Sequence, residues 1–158
     1  IQLAGHEPLL AAHLNYIDDR HLELLANSNI TVVYCPRASA YFGHEGHRWK
    51  EMLEAGVNVA LGTDSLLCLD SPDRLCVIDE MRSLYLNQNA DPQTLFAMAT
   101  VNGAIGLGID PTFVTMSIGP TSGLIAFDVG GDQPLLDILE STEMPSWVIQ
   151  PSSMACKP

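Results

Sequence analysis

Basic side chains are scarce: the 158-residue chain holds 7 Lys and Arg against 19 Asp and Glu, a formal net charge of −12. Such a surface repels a phosphate backbone, which argues against nucleic acid as a partner. The acids are spread along the chain without a like-charge block, so they read as a solvated surface. No apolar run approaches the roughly 18 residues that a membrane-spanning helix needs, so no membrane partner is expected. Four cysteines, at positions 35, 68, 76 and 156, contain no C-x-x-C pair. Cys35 and Cys76 sit in apolar segments, where a free thiol acts as a small hydrophobe, and a reduced, cytoplasmic setting is the expectation. No glycine-rich phosphate loop follows a strand, no Gly-x-Ser-x-Gly elbow occurs, and there is no internal repeat or low-complexity tract. An initiator methionine and a basic leader are missing too, so Ile1-Gln2-Leu3 reads as the start of a piece of a longer chain.

What is present is a hydrophobic fraction of 47%, enough in a chain of 158 residues to bury a core. Three units repeat one grammar up to about residue 88. Leu9 to Ile17 reads as a strand, followed by a helix capped by Asp18 or Asp19 with Leu22, Leu24 and Leu25 facing inward. Ile30 to Cys35 is a second strand, stopped by Pro36, which cannot donate to a ladder. A loop from Arg37 to Gly46 leads to a helix over Arg48 to Ala55, with Gly56 as its left-handed cap. Val57 to Leu61 is the third strand, too apolar to be half-exposed.

Ser71-Pro72 signals a further helix with Leu75, Ile78, Met81 and Tyr85 on its buried face, and Asp79-Glu80 on its solvated side. Asp91-Pro92 signals another, running to about Leu107. Alternating strands and helices imply right-handed βαβ units and a parallel sheet. Three parallel strands leave an apolar outer edge, which points to a larger sheet or barrel. Beyond Pro111 short β-like pieces take over, notably residues 123–129 and 146–150. The chain is therefore divided into 1–110, part of a larger sheet or barrel, and 111–158, a β-rich segment with a C-terminal tail.

Polar residues recur at the strand ends: His13, then Cys35-Pro36-Arg37, then Asp64. In parallel α/β folds chemistry gathers at those carboxyl ends, so these side chains would share one mouth. A His and an Asp placed there can bind a divalent metal or exchange protons with water, or else Asp64 caps a turn and His13 is a hydrogen-bonded core residue. His44-Glu45-Gly46-His47 lacks the four-residue spacing of a helical zinc motif, and the aromatic stretch Tyr41-Phe42-Gly43-His44 reads as a pocket wall. Arg37 is a candidate grip for a substrate anion or carbonyl, with a surface ion pair as the alternative.

Four segments in order and spacing resemble the carboxyl-terminal half of the amidohydrolase superfamily, in the branch of nucleoside and nucleobase deaminases and chlorohydrolase-like enzymes. They are Ala12-His13-Leu14-Asn15-Tyr16, Tyr34-Cys35-Pro36-Arg37-Ala38-Ser39, the run Met52 to Ser65, and Ala99-Thr100-Val101-Asn102-Gly103-Ala104. The resemblance implies an α/β fold: strands six to eight of a (β/α)8 TIM-type barrel, with part of a small flanking β-sandwich. Asp64 corresponds to the metal-ligating, proton-shuttling aspartate of strand eight. His13 corresponds to the strand-six histidine, which ligates a second metal or hydrogen-bonds the attacking water. Arg37, Ser39, His44 and Ser65 are the expected substrate contacts.

By the same resemblance, a divalent metal, zinc ahead of iron, activates water for attack on an amidine or amide carbon of a small-molecule substrate. No His-x-His occurs in the chain, so the remaining ligands would lie in a missing amino-terminal half of the barrel. The expected function is hydrolysis of a C–N bond, deaminating a purine-type or related heterocycle, with this piece inactive alone. Homo-oligomerisation is compatible with it. A non-catalytic, partner-dependent scaffold, and a chlorohydrolase or amide hydrolase with the same metal chemistry, are the alternatives.

Overall fold

Three short apolar runs pair in parallel in a computed structural model that describes residues 9–69 and 74–151. β1 (Leu9–Ala12), β2 (Ile30–Tyr34) and β3 (Asn58–Leu61) lie in the order β1-β2-β3, with Ala12 opposite Val33 and Tyr34 opposite Leu61. Because side chains alternate across a strand, β2 serves two clusters. Val32 and Tyr34 join the main core with Trp49, Met52, Val59, Met81, Leu84, Leu95 and Met98, whereas Val33 packs against Cys35, Ala38 and Cys68. β2 and β3 are buried as expected, but β1 leaves Leu9 and Leu10 exposed.

The helices follow their start signals with some shifts. Asp18 caps α1 (Asp19–Ala26) by accepting the His21 N–H, and the His21 ring accepts the Asp18 N–H in return. Leu25 is buried and Leu22 packs on the core, but Leu24 faces solvent, which corrects its inward placement. The expected loop after Pro36 contains α2 (Pro36–Tyr41), since proline at the first position is preorganised for a helix. α3 (Trp49–Glu54) ends at Gly56, whose φ of 83° no β-carbon-bearing residue adopts without strain.

α4 (Val77–Gln88) begins later than its start signal; Ser71-Pro72 lie outside the described residues, and Leu75 is exposed ahead of the helix. The single helix expected after Asp91 is broken at Thr100 into α5 (Pro92–Ala99) and α6 (Val101–Gly106). Thr100 closes α5 by donating its hydroxyl to the Phe96 carbonyl. α6 is tied to the sheet instead: the Asn102 amide donates to Val59 O at 2.8 Å, and Asn102 O accepts from Asn58 at 3.0 Å.

Beyond 111 the β-like pieces form β4 (Leu124–Ala126) and β5 (Ser146–Ile149), an antiparallel pair. Between them lies α7 (Pro134–Glu140), absent from the β-rich reading of this segment. α7 packs on α4 and α5 and buries Leu139 completely in the main core, so residues 134–140 share the core of the first segment. Residues 152–158 lie outside the described part.

Candidate active site

The carboxyl ends of β1 and β3 turn sharply, and each turn presents one polar side chain. The His13 N–H continues the ladder to Val33 O at 2.8 Å, and the Leu14 N–H folds back onto Ala12 O at 3.0 Å. With φ at 66°, His13 thus occupies the centre of a three-residue turn in its rare, strained hand, and Leu14 is left-handed too at 51°. At the other end Gly62 N–H donates to Tyr34 O, and Asp64 also has a left-handed φ, 56°. Strained backbone of this kind gathers at functional sites.

These turns bring His13 Nε2 to 3.8 Å from Asp64 Oδ2, across the end of β2, with the side chains 42% and 31% exposed. That contact is too long for a hydrogen bond, and neither side chain makes one among the described residues. An imidazole nitrogen facing a carboxylate oxygen is a donor set that suits a divalent ion such as zinc. It supplies two donors only: among the described residues, no group of three or more His, Cys, Asp or Glu could hold a metal. Cys35 lies buried beside Asp64. Burial first, then the Asp64 and Glu80 charges, push its thiol up to about 12, so it stays protonated.

The other predicted residues divide. Buried Ser39 donates its hydroxyl to Asn15 Oδ1 at 3.0 Å, joining α2 to the turn after β1. Half-buried His44 bonds the Tyr16 hydroxyl through Nδ1 at 2.7 Å. Together with exposed Tyr16, Tyr41 and Phe42 it forms an aromatic rim. Ser65 accepts the Leu67 N–H and caps a single 3-10 turn, Leu66–Cys68.

Arg37 is spent internally. Its Nε donates to Glu80 Oε1 at 2.6 Å, its backbone N–H donates to Glu80 Oε2 at 3.0 Å, and Nη1 lies 3.9 Å from Asp79. The expected substrate grip is thus paired with Glu80 within the protein, while its Nη2 is buried with no hydrogen-bond partner among the described residues. The same geometry corrects the placement of Asp79-Glu80 on a solvated face: Glu80 is fully buried and Asp79 nearly so. Burial pushes the Glu80 carboxyl up, with Arg37 partly offsetting it. For Asp79 burial acts in the same direction, but Arg74, Arg82 and Arg37 outweigh it and hold the carboxyl below its usual value.

Sequence reasoning gave His47 little weight. Its Nε2 lies 2.7 Å from the His13 carbonyl oxygen, and its ring stacks on Tyr34 at 3.8 Å between centroids. Burial holds its pKa below the usual value, so the ring is neutral. The stretch from His44 to His47 lacks the spacing of a helical zinc motif, and a contact to backbone leaves no sequence pattern.

Comparisons to known proteins show the family of the chain. The profile of the Amidohydrolase family matches residues 3–151, and the chain belongs to that family. It is 34% identical over 130 residues to the 5-methylthioadenosine/S-adenosylhomocysteine deaminase of Moorella thermoacetica, covering 77% of this chain and 30% of the relative. The Thermococcus sibiricus protein of the same name is 36% identical over 110 residues, 65% of this chain and 25% of its own. Among solved structures, a zinc-bound adenosine deaminase from Xanthomonas campestris superposes with a TM-score of 0.69 at 23% identity, covering 84% of this chain and 33% of its own. A mutant atrazine chlorohydrolase from Arthrobacter aurescens, complexed with zinc and atraton, gives 0.71 at 18% identity, covering 83% and 32%. These two likenesses concern the fold. The chain spans about a third or less of the length of each protein it matches here.

Proposed function

We propose that the protein carrying this chain is a metal-dependent hydrolase that deaminates a purine-type base or nucleoside, with His13 and Asp64 at the reacting centre. The observation that carries this reading is the facing pair, Nε2 to Oδ2 at 3.8 Å, at the carboxyl ends of a parallel sheet. The sheet would supply strands six to eight of a (β/α)8 barrel, and β4 and β5 part of a flanking sandwich, with the other strands and metal ligands outside this chain. Relatives named as deaminases at 34–36% identity favour C–N hydrolysis over dechlorination, for which only a likeness of fold speaks.

Asp64 and His13 would contribute a carboxylate oxygen and an imidazole nitrogen to a zinc or iron site. When bound, that ion supplies the Lewis acidity that lowers the pKa of a water near it. Asp64 then takes the proton from the attacking water and returns it to the leaving ammonia, which is general base followed by general acid work at one carboxylate. The rim of Tyr16, Tyr41, Phe42 and His44 offers flat faces against which a heterocycle can stack.

Ammonia release from 5-methylthioadenosine and related adenosine nucleosides by the whole protein tests the reading. Asp64→Asn removes the proton shuttle while changing little volume. It should lower kcat by about 10²- to 10⁴-fold and leave the thermal transition in place. Wild-type turnover by a folded Asp64→Asn protein would sink the assignment, and a wild type inert toward every purine nucleoside would favour the scaffold reading.

A further inference from the structure

His13 sits in a turn that its own sequence does not favour. A non-glycine residue at φ 66°, followed by another at 51°, persists only when its surroundings hold it there. Two contacts do so. On one side β2 takes the His13 N–H, through Val33 O at 2.8 Å. On the other the His13 carbonyl faces His47 Nε2 at 2.7 Å. A carbonyl oxygen can only accept, so His47 Nε2 carries a proton and donates it. The remaining nitrogen, Nδ1, is buried and has no hydrogen-bond partner among the described residues, so it offers no competing reason for the ring to be there. The ring itself is fixed by Tyr34, stacked at 3.8 Å with the planes 18° apart. Tyr34 is a β2 residue with 3% of its surface exposed, so the sheet itself holds the donor in place.

We propose that His47 is a positioning residue for the His13–Asp64 pair: its Nε2–H clamps the His13 carbonyl, so that the strained turn keeps the imidazole facing Asp64. The proposal rests on the reading of that pair as the reacting centre. The turn carbonyl and the His13 side chain belong to one residue, so a carbonyl released to water lets the turn relax toward right-handed backbone and swings the imidazole off Asp64. Partners that orient a metal-binding histidine through its other ring nitrogen are worth about ten- to a hundredfold in metal affinity or activity, and an effect on that scale is expected for a partner of its backbone carbonyl.

The test uses the whole protein, with zinc affinity measured by competition against a chelator, alongside kcat, KM and thermal melting. His47→Phe keeps a ring to stack on Tyr34 but lacks the donor; His47→Gln restores an N–H at similar reach without the ring. The expected result is a folded His47→Phe protein whose zinc affinity falls by about ten- to a hundredfold. Its kcat should fall in the same range with KM little changed, and His47→Gln should recover most of both. Wild-type zinc affinity and turnover in folded His47→Phe would overturn the proposal, as would His47→Gln recovering nothing.

If His47→Phe fails to fold, nitrogen NMR of the wild-type imidazoles decides. A slowly exchanging proton on His47 Nε2 supports the clamp, and a proton on Nδ1 overturns it. Failure of the underlying reading looks different: zinc affinity unchanged in both His13→Ala and Asp64→Ala.

Discussion

Asp64 and His13 leave the sheet through left-handed backbone, and the residues beside them are chosen to allow it. Gly62 has no room for a side chain: a β-carbon there would meet Val33 Cγ1 at 2.6 Å and Cys35 Sγ at 3.1 Å. Gly62→Ala should therefore destabilise the fold by about 1–3 kcal/mol, through forced repacking between β2 and β3. It should also lower kcat, because Asp64 follows two residues on. A urea titration giving wild-type stability for that variant would contradict the close approach. Asp64 and His13 were legible because an apolar run that ends in one polar residue marks a strand end. Glu80 was not: adjacent helical residues point about 100° apart, and that rule cannot say that arginines close over both faces. His47 acts on a backbone carbonyl, which no side-chain pattern records.

The first turn of α4 carries most of the buried charge. Glu80 ties it to the start of α2 through Arg37, and Asp79 ties it to Arg74 and Arg82. Arg82 in turn donates to the carbonyls of Ile138 and Glu143, so one helix start joins the site's edge to α7 and the segment after it. Glu80→Ala would leave the Arg37 charge buried without its main partner and should cost about 3–5 kcal/mol in a denaturant titration. A loss under 1 kcal/mol would mean that Arg37 is free to turn outward.

Asp79 gives a pH signature at the same scale. Its folded pKa is depressed, so its contribution is present above the unfolded value and is lost as pH falls through the folded one. Asp79→Asn should thus lower stability near neutrality and flatten the decline that wild type shows below about pH 4. Parallel stability profiles for the two proteins would contradict it. Element type was legible wherever capping signals were strong, as at Asp18 and Asp91. α2 was missed because only Pro36 announces it, and α7 because its burial comes from tertiary contacts with α4 and α5.

Across the whole molecule, the sheet and the small β pair both expose apolar surface. Leu9 and Leu10 on β1 are 42% and 44% exposed, and Trp147, Val148 and Ile149 on β5 are 50–59% exposed. Produced alone, residues 1–158 should self-associate through these faces. A monodisperse monomer in sedimentation would contradict that expectation. The parallel order of the sheet was readable from alternation of strand and helix, because βαβ connections have one favoured hand. That α7 of the later segment completes the main core was not readable, since its contacts span more than fifty residues.

The most direct measurement of the central claim is anomalous diffraction at the zinc edge, or the iron edge if elemental analysis finds iron, from crystals of the whole protein. The account predicts a peak within bonding distance of the Asp64 carboxylate, at the mouth shared with His13. A bound metal located elsewhere, with Asp64 turned away from it, would contradict it.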